Sequence, residues 1–207
     1  AMESRGLGDV YKRQASIPEA RQNRIEIDVR STFSKMSGTL ITKKKDILSK
    51  NTIRGISFTK NDAKLTLIGV KDKPGIAASI FKPLYENSIN VDMVVQNVSA
   101  GGRETDLTFT IKLEDLKKTR KLVENNKYIK FRKLIINKNV SKVSIVGVGM
   151  VTTPGITYRM FRALAKKKIN IEVISTSEIK ISVLIDKKNL KKSVEILHQE
   201  FELSNSL

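Results

Sequence analysis

The sequence predicts an α+β fold of two ferredoxin-like modules, each ordered strand-helix-strand-strand-helix-strand, with the first inserted within the second. Three observations predict it. Residues 65–81 (LTLIGVKDKPGIAASIF) return as 143–161 (VSIVGVGMVTTPGITYRMF), each an alternating β-branched run, a Gly-containing loop, a Pro-Gly pair and an apolar pattern at helical spacing. The correspondence continues: Asn90-Val91-Asp92-Met93-Val94 answers Asn170-Ile171-Glu172-Val173-Ile174, Phe81 answers Phe161, and Leu84 answers Leu164. That is a repeat of roughly 80 residues, the size of a domain and not of a solenoid unit. Finally, the second copy lacks a fourth strand, and the unclaimed strand upstream at 51–58 (NTIRGISF) is the piece that completes it. An unpaired edge there would otherwise be a liability.

Taken in order, residues 1–16 show neither period and read as an unassigned or artefactual tail. Residues 17–49 hold a strand candidate at 24–30 (RIEIDVR) and then STFSKMSGTLI with a Gly-centred turn. This piece is too small for a domain and reads as the end of a body that precedes it. The segment 50–60 is the strand completing the second module, stopped by a polar turn at Lys60-Asn61-Asp62. The first module, 61–140, is expected to run strand 65–70, helix 75–87, and strands 90–98 and 105–113 around the turn Ser99-Ala100-Gly101-Gly102. A helix at 114–126 follows, opening on Glu114 and Asp115, which suit a positive helix end, and then a strand at 130–137. The second module, 141–207, repeats the order with strand 142–148, helix 155–168, strands 170–176 and 179–185, and helix 188–201.

Composition narrows the function. The 207 residues are 40% hydrophobic, enough for real cores, and contain no Cys and one His, His198. That excludes a disulfide framework, a thiol nucleophile and a thiolate metal site. No apolar run approaches the ~18 residues of a membrane helix and no signal peptide is visible, so a cytoplasmic location is expected. The net charge of +18 invites a nucleic-acid reading. The lysines, however, are spread over every segment, as at 43–45, 117–118, 166–168 and 187–192, which fits solvated surfaces better than a phosphate-binding stripe.

The chemistry gathers at Asp72-Lys73-Pro74-Gly75-Ile76-Ala77. Proline presets the backbone at a helix start, and glycine lets another group approach the main chain. The first amides of the helix have no intrahelical partner, and the helix dipole favours an anion there. A carboxylate on those amides with an ammonium beside Asp72 suits a zwitterion such as an amino acid; a plain strand-to-helix turn has the same signature. Gln96-Asn97-Val98-Ser99 and Thr105-Asp106 add polar groups at the neighbouring strand ends. No phosphate-loop pattern occurs, and Gly147-Val148-Gly149 lacks the third glycine of a dinucleotide fingerprint. An RNA-binding module of this topology would carry stacking aromatics on its central strands; LTFTI offers Phe109 and its counterpart ISVLI offers none.

The blocks VRSTFSKMSGTLI, KLTLIGVKDKPGIAASIF, INVDMVVQNVS, TDLTFTI, KVSIVGVGMVTTPGIT and INIEVISTSEIKISVLI, in this order, closely resemble the C-terminal regulatory half of bacterial aspartokinase, a pair of ACT domains. The resemblance covers roughly residues 17–203 and leaves out the kinase domain. It implies two ACT domains that bind lysine, threonine or both and give feedback inhibition of aspartate kinase, with residues 17–49 as a remnant of the kinase-domain C-terminus. No catalytic residue, metal site or cofactor is expected in this chain; ATP and Mg belong to the kinase domain, and the chain alone is expected to be inactive. The implied partners are a second copy of the chain and an aspartokinase catalytic subunit or domain, with neither nucleic acid nor membrane. By position the effector residues are Asp72, Pro74, Gly75, Ile76, Ala77, Gln96 and Thr105 in the first module. In the second they are Met150, Thr153, Pro154, Gly155, Asn170, Ile171, Ser175, Thr176 and Glu178. The second loop has Met150-Val151-Thr152-Thr153 where the first has its acid, so the first is the stronger site, completed by Asn170 and Ile171 of the second module. The alternatives are a basic ferredoxin-like nucleic-acid-binding protein and the ACT pair of another amino-acid biosynthetic enzyme.

Overall fold

The structure is a computed structural model that describes residues 20, 22–29, 39–41, 52–98, 104–148, 150 and 153–203. The expected tail at 1–16, the turn at 99–102 and the turn around Gly38 lie outside the described residues. The chain divides into a unit Ala1–Lys50 and a unit Asn51–Leu207. In the first, β1 (Ile27–Val29) pairs antiparallel with β2 (Thr39–Ile41), Ile27 opposite Ile41.

The second unit is built on two long strands, β3 (Ile53–Lys71) and β6 (Lys133–Gly147). Between them come α1 (Ile76–Glu86), β4 (Val91–Val98), β5 (Glu104–Lys112) and α2 (Leu116–Glu124). After β6 follow α3 (Ile156–Lys166), β7 (Ile171–Thr176), β8 (Lys180–Asp186) and α4 (Leu190–Glu200). All six strands form one antiparallel sheet in the order β4-β5-β3-β6-β8-β7. The far half of β3 (62–71) lies between β5 and β6, giving the first module the order β4-β5-β3-β6. Its near half pairs Ile56 with Ile145 and Phe58 with Val143, so it is the fourth strand of the second module, β7-β8-β6-β3. The expected insertion of one ferredoxin-like module within the other is what the ladder shows.

Two expectations need correcting. Lys60-Asn61-Asp62 is not a turn, and neither β3 nor β6 is two strands; each runs unbroken past the place where the modules meet. The expected domain limits at 60/61 and 140/141 thus fall inside strands. The ladder instead slips in register between Thr59 and Asp62 and again before Lys64. The extra residue reverses the parity of the alternation. Ile56 faces one core from an even position, while Ala63, Leu65 and Leu67 face the other from odd positions; on β6, Leu134 and Ile136 give way to Val143 and Ile145. Polar residues at 60–62 and 137–139 mark these slips. The Asp62 carboxylate, 5% exposed, is held there by the Thr59 hydroxyl and by Lys112 at 3.4 Å.

Each module buries one helical stripe against its sheet. Ile76, Ile80 and Leu84 of α1, with Leu116 and Val123 of α2, cover Leu65, Leu67, Leu107, Phe109 and Ile111. Ile156, Met160 and Leu164 of α3, with Leu190 and Leu197 of α4, cover Val143, Ile145, Ile181, Val183 and Ile53. The i, i+4, i+8 spacing puts three large side chains on one face of α1 and of α3. Each such side chain contributes roughly 1.5–3 kcal/mol when fully buried. Phe109 is 0% exposed and meets Phe81 edge to face at 5.3 Å, so it offers no stacking platform to an RNA base.

Candidate functional site

The two Pro-Gly pairs open their helices alike. Gly75 is the N-cap of α1 with φ 83, and Gly155 the N-cap of α3 with φ 89. That left-handed conformation is why glycine follows each proline. Neither cap is a side chain; the Ser79 amide donates to Gly75 O at 3.0 Å and the Arg159 amide to Gly155 O at 2.8 Å. The Ile76 amide is taken by Lys73 O at 3.2 Å. The amides of Ala77 and Ala78 are therefore the ones left without an acceptor inside the helix. Asp72, Pro74 and Gly75 are exposed, Ala77 is half-buried and Ile76 is buried in the core.

Ladder register places the other candidates. Val70 pairs with Thr105, Thr105 with Val98, and Gln96 with Leu107, which bring Gln96 and Thr105 to the end of the sheet where the first loop begins. Gln96 is exposed. Thr105 is 0% exposed and its hydroxyl donates to Asn97 O at 3.0 Å, which ties the start of β5 to the end of β4. Thr176 pairs with Ile181 and Ser175 with Ser182, which put both, and the exposed Glu178, at the opposite end beside the second loop. There Thr153 is half-buried and Pro154 and Gly155 are exposed, while Met150 is 7% exposed and packs into the core as the loop's anchor.

Asn170 and Ile171 lie elsewhere. Ile171 pairs with Ile185 and Ile185 with Ser141, next to the row of Val140 and Asp62. From that row β3 continues to Lys71, about 30 Å at the rise of a strand. One small ligand cannot touch both the first loop and Asn170 of the same chain.

The structure adds Gly69, Arg132 and Thr52, to which the sequence reading gave no role, and gives Asp106 its partner. Gly69, φ 67, donates its amide to Asp106 Oδ1 at 2.9 Å, and a Cβ there would fall 2.2 Å from Arg132 Nε. Arg132 is held by Glu104 at 2.9 Å. Gly69, Glu104 and Arg132, with Lys71, Lys130 and Phe131, line an open cavity of about 410 Å³ beside the first loop, three cations against one carboxylate. In the second module Gly147 takes the equivalent place: a Cβ there would sit 2.0 Å from Thr52 O. That carbonyl accepts from the Val148 amide at 3.0 Å, and the Thr52 hydroxyl lies 3.5 Å from that of Thr153. The glycine common to LIGV and IVGV is a signal the sequence carries, and Asp106 stands among the polar groups it offers at the strand ends; Arg132 and Thr52 have none, because their partners are distant in the chain. Among the described residues no group of His, Cys, Asp and Glu is placed to hold a metal ion, and no helix is long and apolar enough to cross a membrane.

The family model of the ACT domain matches twice, at residues 65–126 and 143–201. The chain belongs to the ACT-domain family. Its ACT pair is 36% identical to the regulatory subunit of aspartate kinase from Thermus thermophilus, with a TM-score of 0.68, covering 72% of this chain and 99% of that one. It is 39% identical, with a TM-score of 0.66, to a chain in a structure of aspartokinase alpha and beta subunits, covering 73% and 99%. An aspartate kinase of Pseudomonas putida is 41% identical over 204 residues, 98% of this chain and 49% of that protein. The ACT pair is thus the regulatory region of an aspartokinase, and the chain spans about half the length of the curated relatives it matches.

Proposed function

We propose that this ACT pair senses lysine, threonine or both and gives feedback inhibition of an aspartate kinase in the cytoplasm. The carrying observation is the first Pro-Gly loop: a left-handed Gly75, two helix-start amides without helical acceptors, and Asp72 exposed beside them. The amides suit the effector's carboxylate and Asp72 its ammonium. The Thermus thermophilus likeness, which spans that whole regulatory subunit, supports the regulatory role. The separation of Asn170 and Ile171 from the first loop supports a homodimer in which the second module of one copy completes the first loop of the other. Residues 17–49 are read as the end of the kinase domain. The ATP and Mg sites are assigned to that domain.

Isothermal calorimetry with lysine and threonine, singly and together, tests the reading. Small zwitterions held by a few charge-assisted bonds should bind with roughly −4 to −8 kcal/mol, a millimolar-to-micromolar range. No heat from either amino acid up to tens of millimolar would refute it.

A further inference from the structure

The sheet face away from the helices carries two ion pairs that are the same pair twice. Lys64 precedes the first repeated strand segment and Lys142 the second; Asp92 and Glu172 occupy equivalent places in NVDMV and NIEVI. Lys64 Nζ lies 2.5 Å from Glu172 Oε2, and Lys142 Nζ binds the Asp92 carboxylate. Each lysine thus reaches across to the other module. Three of the four side chains are largely buried: Lys64 18%, Glu172 19% and Lys142 12% exposed, against 48% for Asp92. Asn137 of β6 donates to both oxygens of Glu172, at 3.1 and 3.2 Å. Between the pairs, Met93 of β4, Val140 of β6 and Leu184 of β8 form a small apolar cluster with Val173 of β7 packed against it. β4 and β7 stand at opposite ends of the strand order, yet the sheet curls until they meet here.

The strands that carry the lysines are the two that run into the Pro-Gly loops. The strands that carry the acids are the two edges. We propose that Lys64–Glu172 and Lys142–Asp92 are positioning pairs that latch each loop-bearing strand to the edge strand of the other module, so that the two loops change together. Pulling a partly buried charge from its partner is costly. A shift of β3 at the first loop is therefore passed through Lys64 to Glu172 and β7, which runs down to Ser175 and Thr176 beside the second loop. Lys142 and Asp92 pass the reverse signal from β6 to β4 and Gln96. Among the described residues neither edge strand has a ladder partner on its outer side within the sheet, so the ion pair and the small apolar cluster are what tether it beyond its single ladder.

Amide hydrogen exchange on the full chain without ligand tests the latch. Lys64→Met and Glu172→Gln should each speed exchange about tenfold in 171–176 and in 153–157 at the far loop, leaving 104–112 unchanged. The exchanged pair Lys64→Glu with Glu172→Lys should restore most of the protection. No change, acceleration confined to β3, uniform acceleration across 52–203, or no recovery in the exchanged pair overturns the proposal. Should the single variants fail to fold, Asp92→Asn at the more exposed pair should speed exchange selectively in 91–96 and at the first loop, 72–77; uniform or absent change there also overturns it. A ligand arm rests on the proposed function. Lysine or threonine should protect both loops in the parent and only the occupied loop in Lys64→Met. Absence of ligand protection in the parent counts against the sensing function, while the ligand-free exchange still decides the latch.

Discussion

Gly75 and Gly155 hold a backbone angle that costs any other residue type about 1–2 kcal/mol. Among the described residues no atom lies within 4 Å of a Cβ built at either, so in Gly155→Ala the conformational cost dominates, and urea unfolding should show a loss of about 1 kcal/mol. Gly147→Ala should be worse, by about 3 kcal/mol or more, because the clashing atoms are the backbone of Thr52 and Ile53 and have no rotamer to escape into. Asp72→Ala should leave stability within error and weaken effector binding about thirtyfold by calorimetry, while Thr153→Ala should cost less at that loop. Equal losses in the two variants would mean the acid is not the ammonium's partner. The Pro-Gly loops were legible in the sequence because a left-handed glycine after proline at a helix start is a local requirement. Thr52 and Arg132 were not, because each acts on a loop through a contact fixed only by the completed sheet.

At the scale of elements, helices were readable to within about two residues from the spacing of Ile76, Ile80 and Leu84 and of their copies Ile156, Met160 and Leu164. The strand ends around 60–62 and 137–139 were misread. A polar run inside a long strand looks like a turn until a bulge is seen to leave those residues between the two cores. Helix α4 is tied to α3 by Glu200, whose carboxylate meets Arg159 at 3.1 Å and Arg162 at 3.2 Å. Burial pushes its carboxyl up, but the Arg159 hydrogen bond and the charges of both arginines outweigh this and hold it below the ordinary 4.5. A carboxyl held low in the folded state adds stability that is fully present above 4.5 and is lost as pH falls through its lowered value. Urea unfolding between about pH 6 and pH 3 should therefore fall off less steeply in Glu200→Gln than in the parent. Identical acid limbs would show that the tether contributes nothing.

At the scale of the molecule, the separation of the first loop from Asn170 makes association part of the proposed site. Sedimentation at tens of micromolar should give about twice the 23.2 kDa chain mass, and more completely with effector present. A single 23.2 kDa species with and without lysine and threonine would contradict the shared site. Because the chain carries a net +18, pairing should strengthen as salt screens the mutual repulsion of the copies. The opposite salt trend would mean that specific ion pairs dominate the contact.

The near half of β3 belongs to a module whose remaining strands are made much later. Ile53 must wait roughly 90 residues for Gly147, while the far half of the same strand finds β5 within about half that distance. On a ribosome adding residues from the N-terminus, the first module can close before the second exists, leaving residues 53–59 as an open apolar flap. The second module then condenses onto a strand that is already anchored at one end, which lowers the entropic cost of its longest-range pairing. Refolding from denaturant should accordingly be biphasic, with the slow phase reporting on Ile53 and Val143. A variant that loosens the first module, such as Phe109→Ala, should slow the assembly of a core it never touches.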